Sequence, residues 1–249
     1  MTFFKRNIKD LLRTSVSHRK ELERAYTLLP KTQCQRRTHC CSMLPEITLV
    51  EALAAIERSA KMTPSRQRHL VKNLIEYFFL NPVEITSCPF LEGQECIIYL
   101  DRFFGCRTYG LWSQGYYQEL VAKACQEKLH LRESWENLGI SLPEKVIYYE
   151  VPYCTHVKID GHSMTDDHIL LNVSNRIKEV SGHLSPWHES FRLTYFSDLS
   201  FFIASLVYGV SDAVQMKFDI VHEIITKKER TKLNQAVKAL PDLKILYGT

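Results

Sequence analysis

The sequence predicts a mainly α-helical protein in which a loop-rich cysteine cluster holds a metal site. Apolar residues recur at helical spacing over most of the chain, and six of its eight cysteines fall in two groups. No internal repeat or low-complexity linker is visible. We therefore expect either one compact helical domain or two regions packed as one unit, the cysteine region at 1–110 and a helical C-terminal region at 111–249.

The N-terminal region is predicted to contain helices on both sides of the first cysteine group. Residues 3–29 have the pattern of one or two amphipathic helices, with a break near Ser15. Thr48 and Glu51 form a capping box before a third helix, and the proline at 64 begins a fourth that runs to residue 79. The third and fourth helices are expected to form a hairpin that returns the second cysteine group to the first.

The cysteines are the candidate metal ligands. The two groups are Cys34, Cys40 and Cys41, and then Cys88, Cys96 and Cys106. Thiolates are soft ligands that suit zinc, copper(I) and iron–sulfur clusters. The alternatives are buried free cysteines, which pack as small apolar residues, or two or three disulfides. Clustering beside proline and glycine favours a metal site.

Cys40 and Cys41 are neighbours, which bears on the choice of metal. Consecutive side chains point in different directions on a helix or a strand, whereas two thiolates on one zinc must come close together. We therefore favour an iron–sulfur cluster over zinc. His39 is an alternative ligand to one thiolate or a polar surface residue.

These residues resemble the YkgJ-like cysteine-cluster family, which is described as a zinc- or iron-chelating domain with a CxxCxxCC signature. Cys34, Cys40 and Cys41 match its first, third and fourth cysteines, and Arg37 stands at the second. Phe103 replaces a usual proline. The second half of the family pattern is matched by Cys88, Pro89, Phe90, Leu91, Cys96, Ile98, Tyr99, Arg102, Cys106, Arg107, Tyr109 and Gly110.

The resemblance implies metal binding, and the cluster is also similar to that of the flagellin lysine N-methylase, which uses S-adenosylmethionine. Methyl transfer is therefore one implied chemistry and redox chemistry is another. The sequence contains neither a glycine-rich nucleotide loop nor the closely spaced cysteines typical of radical S-adenosylmethionine enzymes.

Arg102 and Arg107 flank Cys106 and are the candidate cofactor-binding residues. Positive charge beside thiolates lowers their pKa and offsets the negative charge of a cluster. The alternative is that both arginines lie at the surface and pair with carboxylates such as Asp101. Either role fits the sequence.

The C-terminal region begins with a predicted helix at 111–138, in which Cys125 is expected to be a core or solvent-facing thiol rather than a ligand. A second group of possible donors follows: Cys154, His156, Asp160, His162, Asp166, Asp167 and His168. This segment is either an irregular polar connection or an acid–base or metal site. In the second case, His156 and His162 are the candidates for proton transfer.

The last part of the chain is predicted to be helical. A short helix is expected at 172–179 and a longer helical region from residue 185. The apolar run at 196–210 is too short for a membrane span and is expected to form a buried core helix. Helices at 213–228 and 229–240 complete the pattern.

Composition and charge limit the function classes. No N-terminal segment has the pattern of a signal peptide, so we expect a cytoplasmic protein without a membrane partner. Residues 1–37 carry ten Lys or Arg and three Asp or Glu, but they lack an interleaved aromatic stacking pattern, so we do not expect nucleic-acid binding. We expect a metal-binding protein with an unknown protein or small-molecule partner. The alternative is a non-enzymatic interaction module stabilised by a structural zinc.

Overall fold

The computed structural model describes residues 3–160 and 166–240, and these are mainly helical, as the sequence predicts. The α-helices within them are α1 (Phe3–Thr14), α2 (Val16–Tyr26), α3 (Leu49–Ala60), α4 (Pro64–Leu80), α5 (Phe104–Thr108), α6 (Gln114–Glu136), α7 (Glu144–Ile147), α8 (Asp167–Gly182), α9 (Trp187–Tyr195), α10 (Leu199–Tyr208), α11 (Val210–Lys227) and α12 (Thr231–Lys238). The short strands are β1 (Thr32–Cys34), β2 (Leu91–Glu92), β3 (Glu95–Cys96) and β4 (Val157–Ile159).

Local signals in the sequence place several helix ends correctly. The break near Ser15 separates α1 from α2. The capping box is formed at the start of α3, where the backbone N–H of Thr48 donates to Glu51 at 2.8 Å. At the start of α4, the Thr63 side chain accepts a hydrogen bond from the backbone of Arg66.

Helix α10 forms the centre of the hydrophobic core, which confirms the prediction of a buried core helix. Every residue from Leu199 to Val207 is buried. Phe201 stacks on Phe78 of α4 with ring centroids 5.0 Å apart. Phe202 is fully buried, and its ring is surrounded by aromatic side chains from α1 and α9. The larger of two clusters of buried side chains in the described residues extends from Phe4 to Ala236, so both regions of the chain contribute to it.

Helices α3 and α4 have different main neighbours, and so the expected hairpin is not the principal packing unit. Helix α3 packs on α2, α8 and α9, whereas α4 packs on α10, α11 and α12. The second cysteine group nevertheless returns to the first, because the backbone of Cys88, in the loop after α4, hydrogen-bonds to that of Cys41.

Two elements of the C-terminal region differ from the expectation. Helix α8 starts at Asp167 instead of near residue 172, because Asp166 caps it by accepting a hydrogen bond from the backbone of His168 at 2.8 Å. Helix α6 has apolar residues at helical spacing, but only Trp135 is buried. Its other apolar positions are therefore partly or fully exposed instead of lying in the core.

In the described part of the chain, no single helix is both long and apolar enough to cross a membrane. Helices α10 and α11 together meet that test on length and composition, but they are bent by 109° at the break between them.

Candidate metal centre

The six predicted thiols lie around one cavity of about 50 Å³. Cys88 is buried and the other five are partly buried. The remaining wall is mostly apolar and aromatic, and in the described residues the only charged side chains lining the cavity are Arg36 and Arg102. The fold therefore brings both cysteine groups to one place, although about 50 residues separate them in the sequence.

Main-chain hydrogen bonds connect the two groups. The backbone N–H of Cys88 donates to the carbonyl of Cys41 at 2.6 Å, and that of Cys41 donates to Thr38 at 2.7 Å. The first of these bonds holds the loop after α4 against the short 3₁₀ helix at His39–Ser42, and the second lies within that helical turn. This main-chain contact helps to hold the second cysteine group beside the first.

Cys40 and Cys41 come closer together than their adjacency led us to expect. Their sulfurs are 3.9 Å apart, close to the separation of about 3.8 Å for two thiolates on a tetrahedral zinc with bonds of about 2.3 Å. Adjacency alone therefore does not disfavour zinc. His39 is exposed and does not line the cavity.

The loop that carries Cys34 has an unusual backbone. Arg36 and Thr38 have φ values of 52° and 59°, a region that side chains other than glycine adopt rarely. This conformation directs the backbone N–H of Arg36 to the sulfur of Cys34 at 3.3 Å. Strained residues of this kind cluster at functional sites, and N–H donors to sulfur tune thiolate-bound clusters.

Cys96 and Cys106 are positioned by two tight structures. Cys96 ends the hairpin formed by β2 and β3, and Gly93 at the turn has a φ of +61°, which a two-residue hairpin turn requires. Cys106 lies in α5. A Cβ atom at Gly105 would approach Pro45 to 3.0 Å, so the glycine allows α5 to lie close to the segment after Cys41.

The two candidate arginines occupy different places. Arg102 lines the thiol cavity, stacks on Tyr99 at 3.8 Å and donates to the Tyr99 carbonyl at 2.9 Å. Arg107 lines a neighbouring polar cavity, where it lies 4.3 Å from the centre of the Tyr26 ring, and it donates to the Arg102 carbonyl at 2.6 Å. Arg102 can therefore contact a group in the thiol cavity directly, whereas Arg107 supports the backbone of Arg102.

Burial and hydrogen bonding shift the pKa values of the thiols in opposite directions. The hydrogen bond with Cys41 lowers the pKa of Cys40 to about 7, and Arg102 acts in the same direction. Burial raises the pKa of Cys88 to about 12 and also raises the pKa of Cys96 and Cys106. The thiols in this cavity would therefore need a cation among them to ionise together.

The donor set fits a thiolate-bound metal group, and its spacing constrains which one. Among residues 3–160 and 166–240, no three His, Cys, Asp or Glu side chains are placed closely enough to hold one metal ion as they stand. The thiols surround the cavity instead of converging on a point. A mononuclear zinc would require side-chain rearrangement, whereas a polynuclear cluster takes ligands that are spaced around it.

Strand pairing brings Cys154, from the second donor group, near the first cysteines, although Cys154 does not line the thiol cavity; the sequence did not reveal this proximity. β4 pairs with β1, and Val157 lies opposite Cys34. Cys154 is buried beside Gly110, and its pKa is raised by burial first and then by the charges of Cys34 and Cys40.

The other residues singled out from the sequence do not join the cavity. Cys125 lies on α6 in a separate surface groove, as expected of a thiol that is not a ligand. His156 is partly buried but does not line the thiol cavity. His162, the other candidate for proton transfer, lies outside the described residues.

No protein-family model matches the chain, and no curated protein or solved structure is detectably similar to it. The resemblance to the YkgJ-like family therefore rests on the matching cysteines and their neighbouring residues.

Proposed function

We propose that this protein is a metalloprotein that holds an iron–sulfur cluster through thiolates in the cavity between its two cysteine groups. The observation that carries the proposal is that six cysteines from separate parts of the sequence line one cavity. Free cysteines buried for packing alone would have no reason to share one small space. The absence of disulfides among the described cysteines agrees with thiols kept available for ligation.

The surroundings of the thiols support a cluster over a single ion. Six sulfurs exceed the four that one zinc takes, and they are spaced around a cavity. Arg36 and Arg102 would offset the negative charge of a thiolate-bound cluster. The N–H···S bond to Cys34 is of the kind that tunes the potential of such clusters.

An iron–sulfur cluster supplies one-electron transfer, and the protein's part is to exclude water and set the potential. Cys34, Cys40 and Cys96 are only partly buried, so the cavity is not closed to a reaction partner. Methyl transfer from S-adenosylmethionine is the other chemistry, and it is supported by the resemblance alone.

A structural zinc in a non-enzymatic module is the second candidate. It is favoured by the 3.9 Å separation of the Cys40 and Cys41 sulfurs, which suits one tetrahedral ion. In this case metal removal should unfold the cysteine region, because the binding energy of a structural zinc contributes directly to folding.

The proposal is tested by metal and acid-labile sulfide analysis, with an absorption spectrum, of protein purified without oxygen. Iron and sulfide in near-equal amounts support the cluster. Zinc without sulfide supports the second candidate, and protein with neither metal contradicts both.

Cysteine variants test the site itself. Cys96→Ser and Cys106→Ser should lose metal, whereas Cys125→Ser should keep the wild-type amount because its thiol lies in a separate groove. Far-UV circular dichroism identifies a variant that has failed to fold. The site is wrongly assigned if the folded Cys96 and Cys106 variants retain full metal.

A further inference from the structure

A second and larger cavity lies apart from the thiol cavity, between the C-terminal end of α4, helices α6, α7 and α11, and the segment 42–46. Its volume is about 680 Å³, within the range of about 300–1,000 Å³ that is typical of small-molecule sites. Much of its wall is apolar, including Leu44, Leu131, Leu142, Val146, Ile147 and Phe196. It is large enough for a small organic ligand.

Lys217 of α11 places an amine in this cavity in unusual surroundings. Its Nζ donates to Asn81 Oδ1 at 3.0 Å and lies 4.2 Å from the centre of the Phe78 ring. Both contacts are uncharged groups, and within the described residues no carboxylate forms an ion pair with this amine. Burial lowers the pKa of Lys217 to about 8, which Asp198 only partly opposes. A useful fraction of the amine is thus neutral, and nucleophilic, near neutral pH.

The other ionisable side chains of the cavity disfavour an anionic ligand. The carboxylates in its wall are Glu46, Glu84, Glu127 and Asp198, and the other cations are Lys128 and Arg192. Both of these cations already have partners, because Lys128 donates to the Tyr149 carbonyl and Arg192 pairs with Glu189 at 3.0 Å. An acid-rich wall with its other cations engaged favours an uncharged ligand.

A second polar group lies beside the cavity. Thr86 is one of the lining residues, and its Oγ1 is buried without a hydrogen-bond partner among the described residues. Buried polar atoms are nearly always hydrogen-bonded, so an unpaired hydroxyl beside the cavity is a candidate partner for a ligand oxygen.

From these observations we propose that this cavity binds a small, uncharged aldehyde or ketone and that Lys217 forms a Schiff base with it. The Nζ lone pair attacks the carbonyl carbon and forms the C–N bond. The carbonyl oxygen takes up two protons, both supplied by the amine, and leaves as water. The product is an imine, and no oxidant or reductant is needed. The apolar wall selects carbonyl compounds with an apolar substituent.

Reductive trapping tests the proposal. The protein is incubated with benzaldehyde and sodium cyanoborohydride at pH 7.5, which converts an imine to a stable secondary amine, and the modified lysines are located by peptide mass spectrometry. We expect Lys217 to react at least about tenfold faster than Lys227, an exposed lysine on the same helix. Equal rates at the two lysines would overturn the proposal.

Two controls distinguish a carbonyl site from general lysine reactivity and from an anion site. Lys217→Arg should abolish the fast labelling, with an unchanged circular dichroism spectrum, while Lys227→Arg should leave the labelling of Lys217 intact. Benzoate has the same ring as benzaldehyde but carries a carboxylate, and it should not protect Lys217. Protection by benzoate would mean that the cavity is an anion site, and the proposal would fail.

Discussion

Glu51 is the buried carboxylate that connects three helices, and its removal should be among the most destabilising single changes in the protein. It is only 4% exposed. Its oxygens accept hydrogen bonds from the Tyr26 hydroxyl at 2.6 Å, the Thr48 backbone at 2.8 Å and the Phe104 backbone at 2.7 Å. Because Phe104 begins α5, this carboxylate also fixes the helix that carries Cys106.

The cost of Glu51→Ala follows from these bonds. Loss of the capping box costs about 1 kcal/mol. Two further, partly buried donors, on Tyr26 and Phe104, lose their acceptor at about 1–2 kcal/mol each. We therefore expect the free energy of unfolding to fall by about 3–5 kcal/mol.

Urea denaturation followed by far-UV circular dichroism measures this change, with the slope of the unfolding free energy against urea expected to stay the same. The matched control is Glu76→Ala on α4. Among the described residues, the one ion pair of Glu76 is a surface pair with Lys72 at 3.7 Å, so this variant should change stability by less than about 1 kcal/mol. A loss below about 1 kcal/mol for Glu51→Ala would refute the reasoning.

Three further changes can be measured in the same assay. Phe202→Ala should cost about 3–5 kcal/mol, because the ring is fully buried among three aromatic rings with centroids 4.9–5.1 Å away. Gly93→Ala should cost about 1–2 kcal/mol because of its φ of +61°; no described atom lies within 4 Å of the new Cβ, so a steric clash does not contribute. The control, Gly115→Ala in α6, adds a Cβ in open space on a helix and should be neutral or stabilising. Lys217→Met should stabilise the protein by about 1–2 kcal/mol at pH 7, because it removes the cost of burying a charged amine. This figure is smaller than the pKa shift alone would give, because the side chain is only half-buried and solvent screens its charge. That advantage should disappear as the pH rises from about 8 towards 10.5. In this range the folded wild type has lost the Lys217 proton while the unfolded wild type still holds it, so the stability of the wild type rises with pH.

The parts of the fold that the sequence predicted are those with local signals. The capping box before α3 and the proline at the start of α4 act within one helical turn. The run at Leu199–Tyr208 is apolar on every face, which only a buried helix tolerates. Helix α6 was predicted from the same kind of periodicity, but which face of a helix is covered depends on the rest of the fold.

The parts that could not be predicted depend on residues far apart in the sequence. A strand of three residues, such as β1 or β4, carries too little periodicity to be recognised, and its partner is set by the tertiary structure. The proximity of Cys154 to the site follows from that pairing. For the acidic residues at the start of α8 the sequence leaves open a polar connection or an acid–base or metal site, whereas in the structure Asp166 acts as a helix cap. Arg107 lines a different cavity from Arg102, and this placement likewise depends on how α5 packs.

The pairing of β1 with β4 has a consequence for how the protein is made. The hydrogen bond between Gln33 and Asp160 beside these strands spans 127 residues. A ribosome adds about 5–20 residues per second, so the segment that carries Cys34 waits roughly 6–25 s for its partner strand to be synthesised. The other five thiols of the cavity are synthesised within that interval. All six thiols are therefore on the nascent chain before the strand that pairs with the Cys34 segment, and before helices α10 to α12, on which α4 packs.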